Sequence, residues 1–451
     1  MMNAPKKIAT RALLVCAAML FGPRFALATI PVQHWTQPGG AEVYLIESPA
    51  VPMLDVQIDF DAGSRRDPPQ KAGLAGLTAG LLEKGVRAAS DASALDENAL
   101  GEAWADLGAE FGAGATSDRM SFSLRTLTEP ALLDKAVALA ARQIAEPAYP
   151  EAVWQRERQR LVAALQESYT RPGSVIGRAY TQAVYGGHPY GYEATEATLA
   201  SIGVADLQAA HAAGVVACRA RVSLVGAVTR LQADAIAARL LGRLPAVPCA
   251  SLAPLPAVPE VPPLARAEEK RIPFDAAQAH VLIGQPGFRR ADPDYFPLTV
   301  GNYILGGGGF VSRLTHEVRE KRGLTYGISS GFSPGLHAGS FTVGLQTRPD
   351  QAAQAVQITR QVLQDFVAGG PTVAELKAAK DNLVGGFALR IDSNRKLLAN
   401  LASIAWHGLP LDYLDTWTQQ VEKVSVADIR AAFARKLQPE KMLTVILGAE
   451  K

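Results

Sequence analysis

The segment from Leu305 to Tyr326 carries the residue types best suited to holding a substrate. It opens with four consecutive glycines, Gly306, Gly307, Gly308 and Gly309. Such a run predicts a loop where side chains would obstruct something or where a positive φ is needed. The pattern that follows predicts a helix over Val311–Arg322 with basic residues at its end, Gly323 as its C-cap, and a strand beginning at Leu324.

Two hydrogen-bond donors lie near the end of this segment. Arg319 carries a fixed fork of N–H donors, and Tyr326 carries a hydroxyl, so the pair could bind a carbonyl oxygen. The pattern alone favours a simpler interpretation, in which Arg319 is a helix-terminal charge and Tyr326 a strand aromatic. Arg322 is a local competitor for the role of the arginine.

The histidines do not form a metal-binding pattern. No two of them are close in sequence, and no Cys or Asp cluster has metal-ligand spacing. His316 is followed by Glu317 but lacks a second histidine nearby. We therefore expect no metal bound by this chain, and ordinary hydrogen-bonded or solvated roles for its histidines. They are His34, His188, His211, His280, His316, His337 and His407.

Composition places the chain among ordinary globular proteins. It has 451 residues, of which 20% are charged and 48% hydrophobic, which predicts two or three domains. Lys and Arg number 45, and Asp and Glu number 43. Four of the basic residues and no acidic residue fall in positions 1–28, so the rest has a net charge of −2. A nearly neutral chain favours no nucleic-acid partner.

The N-terminus has the three parts of a secretory signal peptide. Two lysines and an arginine between positions 6 and 11 precede the apolar stretch Ala12–Gly22, which is too short to span a bilayer. A small-x-small site follows at Ala26–Ala28. We predict cleavage after Ala28, export and no stable membrane insertion. An uncleaved anchor and lipidation at Cys16 are weaker alternatives.

The elements that position these residues occur twice. The strands near Leu54–Phe60 and Ala279–Gly284 each lead through a charged turn into an apolar helix, Gly73–Leu82 or Phe296–Leu305. Three further blocks recur in the same order at offsets of about 220 residues. They are 183–192 with 404–413, 204–207 with 426–429, and 222–227 with 443–449.

The repeat predicts an α+β fold of two homologous domains, each an antiparallel-rich sheet covered by helices. Seven prolines between Pro245 and Pro263 predict a semi-rigid, extended linker. The predicted boundaries are 29–244 for the first domain, 245–265 for the linker and 266–451 for the second. Cys218 and Cys249 could form a disulfide in an exported protein, or could remain as two free thiols.

This plan resembles the insulinase/pitrilysin family of zinc peptidases over nearly the whole mature chain. The family's first helix carries H-x-x-E-H, whose histidines bind zinc and whose glutamate activates water. The matching helix here has Gly76, Ala79 and Gly80 at those positions. The family's later E-x6-E pattern corresponds to Glu157 and Ala164, so the glutamate ligand is lost as well. We expect Gly76 and Gly80 to permit close packing where the metal would have been.

The resemblance also implies a role for the second domain. The family's R-x6-Y positions, which match Arg319 and Tyr326, supply an arginine and a tyrosine to an active site on the opposite domain or subunit. On a peptide carbonyl they would hold the substrate and stabilise charge on its oxygen. The Gly306–Gly309 segment resembles a loop that guides substrate. In this context the pair is better explained as substrate-binding than as structural.

The resemblance therefore implies a zinc-less subunit, half of a clam shell, that completes a heterodimeric metalloendopeptidase. A homologous partner would bring the zinc, and unfolded peptides would be the substrates, held by strand addition to a sheet edge. The bacterial periplasm is the expected location. The alternative is a non-catalytic scaffold or peptide-binding protein of the same fold. A peptidase active alone would need a metal site that the sequence lacks.

Overall fold

The computed structural model describes residues 30–448. The predicted signal peptide, including Cys16, lies outside the described residues. Within 30–448, no helix is both long and apolar enough to cross a bilayer.

The described chain alternates strands and helices. The strands are β1 (Gln33–Thr36), β2 (Glu42–Glu47), β3 (Met53–Phe60), β4 (Gly85–Val86), β5 (Leu95–Asp96), β6 (Glu110–Ala115), β7 (Met120–Leu127), β8 (Arg221–Gly226), β9 (Glu268–Ile272), β10 (Ala279–Pro286), β11 (Ile328–Phe332), β12 (Ser340–Thr347) and β13 (Leu443–Leu447). The α-helices are α1 (Leu74–Gly80), α2 (Glu97–Asp106), α3 (Pro130–Ala145), α4 (Glu151–Ser168), α5 (Pro172–Tyr185), α6 (Glu196–Ser201), α7 (Val204–Gly214), α8 (Arg230–Leu241), α9 (Tyr295–Asn302), α10 (Ala352–Gly369), α11 (Val373–Gly385), α12 (Asn394–His407), α13 (Tyr413–Lys423) and α14 (Val426–Lys436).

Two sheets confirm the internal repeat. The first has the order β1-β2-β8-β3-β7-β6 and the second the order β9-β13-β10-β12-β11. Five strands of each sheet correspond in order: β2 matches β9, β8 matches β13, β3 matches β10, β7 matches β12 and β6 matches β11. In each sheet one pair is parallel, β2 with β8 or β9 with β13, and the other pairs are antiparallel. The α+β, two-domain prediction is therefore confirmed, with β1 as an added edge strand.

Each sheet is covered on one face by helices from its own half. The apolar sides of α3 and α8 pack on the first sheet, and those of α10 and α14 pack on the second. Clean alternation along β7 and β12 places every second side chain in these cores.

The opposite faces are covered by helices exchanged between the halves. Helix α5, from the first half, packs on the second sheet, where the Tyr180 hydroxyl donates to the Phe341 carbonyl at 2.8 Å. Helix α12, from the second half, packs on the first sheet, where Leu401 joins Tyr44 and Val225. The exchange buries both faces of each sheet and ties the two domains together.

The Pro-rich segment lies against the first domain. Cys249, near its start, forms a disulfide with Cys218, which is the first of the two states that the sequence left open. Farther along, Arg66 donates to the Pro256 carbonyl, and a ring nitrogen of His188 lies 2.9 Å from the Pro259 carbonyl oxygen.

Candidate functional site

The four glycines do not form a simple loop. The chain continues past the end of α9 as a π-helical turn, Tyr303–Gly307. An added Cβ at Gly306 would lie 2.4 Å from Ser330 Oγ, and one at Gly308 would lie 2.7 Å from the Tyr303 carbonyl oxygen. Gly309 has a φ of +63°. These close contacts and the positive φ agree with the expectation that glycine is needed here. The prediction of a loop, however, is wrong for Gly306 and Gly307.

The helix predicted over Val311–Arg322 also differs in the structure. It is shorter than predicted, and a tighter helical turn stands at its start. A 3₁₀ turn covers Gly309–Val311, and a π-helical segment covers Thr315–Glu320. The buried Ser312 fixes the turn, because its Oγ donates to the Gly309 carbonyl at 2.7 Å. As a result Phe310 projects outward with 68% of its surface exposed.

Arg319 projects from the π-helical segment beside two aromatic rings. Its Cζ lies 4.7 Å from the Phe310 ring centroid and 4.9 Å from that of Tyr326. Both distances are typical of cation–π stacking. Gly323 then turns the chain with a φ of +60°, and its N–H donates to the Arg319 carbonyl. The structure therefore brings the two predicted donors together.

Tyr326 lies in a bend and is 84% exposed. The strand that follows Tyr326 is β11, which begins at Ile328. The prediction that this strand begins at Leu324 is therefore wrong. The Thr325 hydroxyl bonds to backbone groups here: its oxygen lies 2.5 Å from the Gln346 carbonyl oxygen and 2.8 Å from the Gly327 carbonyl oxygen, and it accepts from the Gly327 N–H at 3.1 Å. Such side-chain bonds compete with the sheet ladder.

The competing arginine is already paired. Arg322 donates to a Glu317 carboxylate oxygen at 2.8 Å, and Lys321 contacts the other oxygen at 2.7 Å. Hydrogen bonds from Lys321 and then Arg322 lower the pKa of Glu317. Within residues 30–448, by contrast, the Arg319 guanidinium has no hydrogen bond or ion pair. Its N–H donors are free to bind a ligand.

Arg313, on the other side of the segment, has a structural role. Its guanidinium forms a bidentate pair with Glu375 at 2.6 and 2.7 Å. Burial alone would raise the pKa of Glu375, but the hydrogen bonds from Arg313 and Thr372 lower it to about 2. This pair fastens the segment to α11.

The first-domain positions that would bind zinc carry no ligand atoms. Gly76 and Gly80 lie exposed on α1, Ala164 lies exposed on α4, and Ala79 is fully buried. An added Cβ at Gly76 or Gly80 would meet no atom within 4 Å. The expectation that these glycines permit close packing is therefore wrong. The side chains of glycine and alanine have no atom that can coordinate a metal, so zinc does not fit here.

Glu157, the acidic residue retained near this site, is neutralised by arginines. It lies 2.8 Å from Arg160 and 3.3 Å from Arg156, and Arg156 also contacts Glu97 at 2.6 Å. Burial opposes ionisation of Glu157, but the hydrogen bonds from Arg160 and Arg156, with the charges of Arg160 and Lys84, together outweigh it and the pKa is lowered.

In the part of the chain that the structure describes, no three His, Cys, Asp or Glu side chains are grouped to hold a metal. His188 and His337 lie together, with ring centroids 5.4 Å apart, and other histidines have separate partners. His211, for example, hydrogen-bonds to the Ile144 carbonyl, and His34 pairs with Glu42.

Sequence reasoning missed Phe310. An apolar pair, Phe310 and Val311, directly follows the glycines. This was the available signal, but the contact with Arg319 spans nine residues and depends on two unusual turns.

Comparisons with known proteins cover most of the chain. Residues 42–198 match the family model described as insulinase (peptidase family M16), and residues 201–383 match the peptidase M16 inactive domain. A crystal structure of a peptidase M16 inactive domain from Pseudomonas fluorescens is 33% identical and covers 92% of this chain and 97% of its own, with a TM-score of 0.85.

Two curated relatives differ in what their names state. An uncharacterised zinc protease of Mycobacterium leprae is 26% identical over 92% of this chain and 91% of its own length. A non-peptidase homologue of Helicobacter pylori is 34% identical over 36% of this chain and 37% of its own length. Together with the duplicated sheets, these matches show that the chain belongs to the insulinase family of peptidases, family M16.

Proposed function

We propose that this chain is the non-zinc-binding subunit of an exported metalloendopeptidase and that it binds the peptide substrate through Arg319 and Tyr326. One observation carries the proposal: the Arg319 guanidinium is unpaired within the described residues and lies beside the exposed Tyr326. Arg313 and Arg322, in the same segment, are by contrast bound to carboxylates.

The chemistry of the pair suits a peptide carbonyl. The guanidinium of Arg319 offers several N–H donors in one plane, and Tyr326 offers a hydroxyl. Donors aimed at a carbonyl oxygen orient the peptide and stabilise negative charge that develops there. Gly307 and Gly309 lie exposed just before Phe310 and add no side chain at this surface, whereas Gly306 is buried.

The remaining chemistry would come from a second subunit. Gly76, Ala79, Gly80 and Ala164 offer no metal ligands, so the zinc is expected in a homologous partner with an intact H-x-x-E-H motif. Unfolded peptides are the proposed substrates, bound partly by strand addition.

Export to the periplasm completes the proposal. The signal-peptide pattern of residues 1–28 supports it, as does the Cys218–Cys249 disulfide, because such bonds persist in oxidising compartments.

The test is reconstitution. The purified chain is mixed with a zinc-bearing homologue from the same source, and cleavage of a labelled unfolded peptide is followed. Activity is expected only in the mixture. Arg319→Ala should lower kcat/KM by about 100-fold, and Tyr326→Phe by about 10-fold.

Arg322→Ala is the matched control, because this arginine is paired with Glu317 and should change kcat/KM less than about 2-fold. An inactive mixture, or full activity of the Arg319 and Tyr326 variants, would contradict the proposal. A pull-down that recovers only non-peptidase partners would then favour the scaffold alternative.

A further inference from the structure

We propose that Phe310 is a positioning residue that holds the Arg319 guanidinium ready for the peptide carbonyl. This inference rests on the proposed function of Arg319. It adds a residue that neither the sequence pattern nor the comparisons assign.

The first argument is the exposure of the ring. Phe310 is 68% exposed and its neighbour Val311 is 73% exposed. Tyr326, across the guanidinium, is 84% exposed. Exposed apolar surface carries a free-energy cost, and a cluster of such side chains marks a surface that meets a ligand or partner.

The second argument is the rigidity of its backbone. The positive φ of Gly309 starts the 3₁₀ turn, and Ser312 closes it through two hydrogen bonds to the Gly309 carbonyl, from its N–H at 3.1 Å and its Oγ at 2.7 Å. Ser312 Oγ also lies 3.1 Å from Thr315 Oγ1 at the start of the π-helical segment. The turn therefore fixes Phe310 relative to the segment that carries Arg319.

The third argument is the placement of the guanidinium. Phe310 and Tyr326 both stack with Arg319, at 4.7 and 4.9 Å from ring centroid to Cζ. Stacking on an aromatic face leaves the in-plane N–H donors uncovered. A long side chain without such support would lose rotamer freedom on binding a peptide. Phe310 thus orders the donors before the substrate arrives.

The test uses the full chain and a fluorescently labelled, unstructured peptide rich in leucine and phenylalanine. Phe310→Leu keeps an apolar side chain but removes the ring, and should raise the Kd by about 5- to 10-fold. Phe310→Tyr should restore binding to within about 2-fold. Val311→Ala, which alters an equally exposed neighbour, should leave the Kd unchanged within about 2-fold.

A double-mutant cycle separates positioning from direct contact. If Phe310 acts through Arg319, Phe310→Leu should add no further loss in an Arg319→Ala background. The NMR signal of the Arg319 Nε–H should also shift when the ring is removed and return in Phe310→Tyr, which a purely structural role would not require.

The inference is overturned if Phe310→Leu weakens binding equally with and without Arg319, if Val311→Ala has the same effect, or if Phe310→Leu has none. Failure of the proposed function is a distinct result: Arg319→Ala alone would then leave peptide binding unchanged.

Discussion

The guanidinium of Arg319 lies 4.9 Å from the ring centroid of Tyr326, although seven positions separate the two residues in the sequence. A π-helical segment, a glycine with positive φ and a bend before β11 bring them together. The neighbouring Arg313, Lys321 and Arg322 are paired with carboxylates, whereas the Arg319 guanidinium has no hydrogen bond or ion pair within residues 30–448.

The glycines that replace the zinc ligands should be dispensable for folding. An alanine Cβ at Gly76 or Gly80 would meet no neighbouring atom within 4 Å. Alanine also restricts the unfolded chain and favours helix. Gly76→Ala and Gly80→Ala should therefore each raise the free energy of unfolding by about 0.5–1 kcal/mol, measured by urea denaturation. A loss of stability would show that these positions need glycine.

The exchanged helix α12 should stabilise the first sheet. Leu401 is fully buried between α12 and that sheet. Leu401→Ala should therefore lower the free energy of unfolding by about 2–4 kcal/mol. Hydrogen exchange should increase in β2 and β8, which belong to the other half of the chain. Leu389→Ala is the control, since Leu389 is 69% exposed and should change stability by less than about 0.5 kcal/mol. Faster hydrogen exchange confined to the second domain would contradict the packing of α12 on the first sheet.

The Cys218–Cys249 disulfide should stabilise the chain through the 31-residue separation that it closes. Cys218→Ser combined with Cys249→Ser should lower the free energy of unfolding by about 3 kcal/mol. A reductant should have a similar effect on the wild type and none on the double variant. Equal denaturation midpoints for all four samples would show that the bond does not form in solution.

Acid should destabilise the protein partly through His407, near the end of α12. Burial, followed by the charges of Arg290 and Arg119, lowers the pKa of His407 to about 4. Between pH 6.5 and 4 the unfolded chain therefore takes up a proton that the folded chain does not, and stability falls as the pH falls.

His407→Gln should remove this part of the pH dependence. After allowance for partial exposure of the side chain, the effect at pH 5 should be about 1 kcal/mol relative to pH 8. The measurement is the difference in unfolding free energy between wild type and variant across this range. A difference that does not change with pH would show that His407 does not contribute.

The repeat could be predicted because strands and apolar helices recur in order, and β3 and β10 appear where the patterns place them. The exchange of α5 and α12 could not. Their apolar stripes show that each helix buries one face, but periodicity does not say which sheet receives it. That choice depends on contacts between residues more than 150 positions apart, such as Tyr180 with Phe341.

Prediction of the site had a similar limit. The family resemblance, not the pattern alone, selected Arg319 and Tyr326 through R-x6-Y, and it identified Gly76, Ala79, Gly80 and Ala164 as positions lacking ligand atoms. The pairing of Arg322 with Glu317 and the stacking of Phe310 depend on side-chain directions set by unusual turns. Local propensity does not encode those directions.

The most direct test of the central claim incubates the isolated chain with zinc and the labelled peptide, then measures bound peptide, cleaved peptide and metal content together. The account predicts that the peptide binds and remains intact, that Arg319→Ala weakens binding, and that the chain retains no stoichiometric zinc. Turnover of the peptide by a homogeneous sample containing one zinc per chain would contradict it.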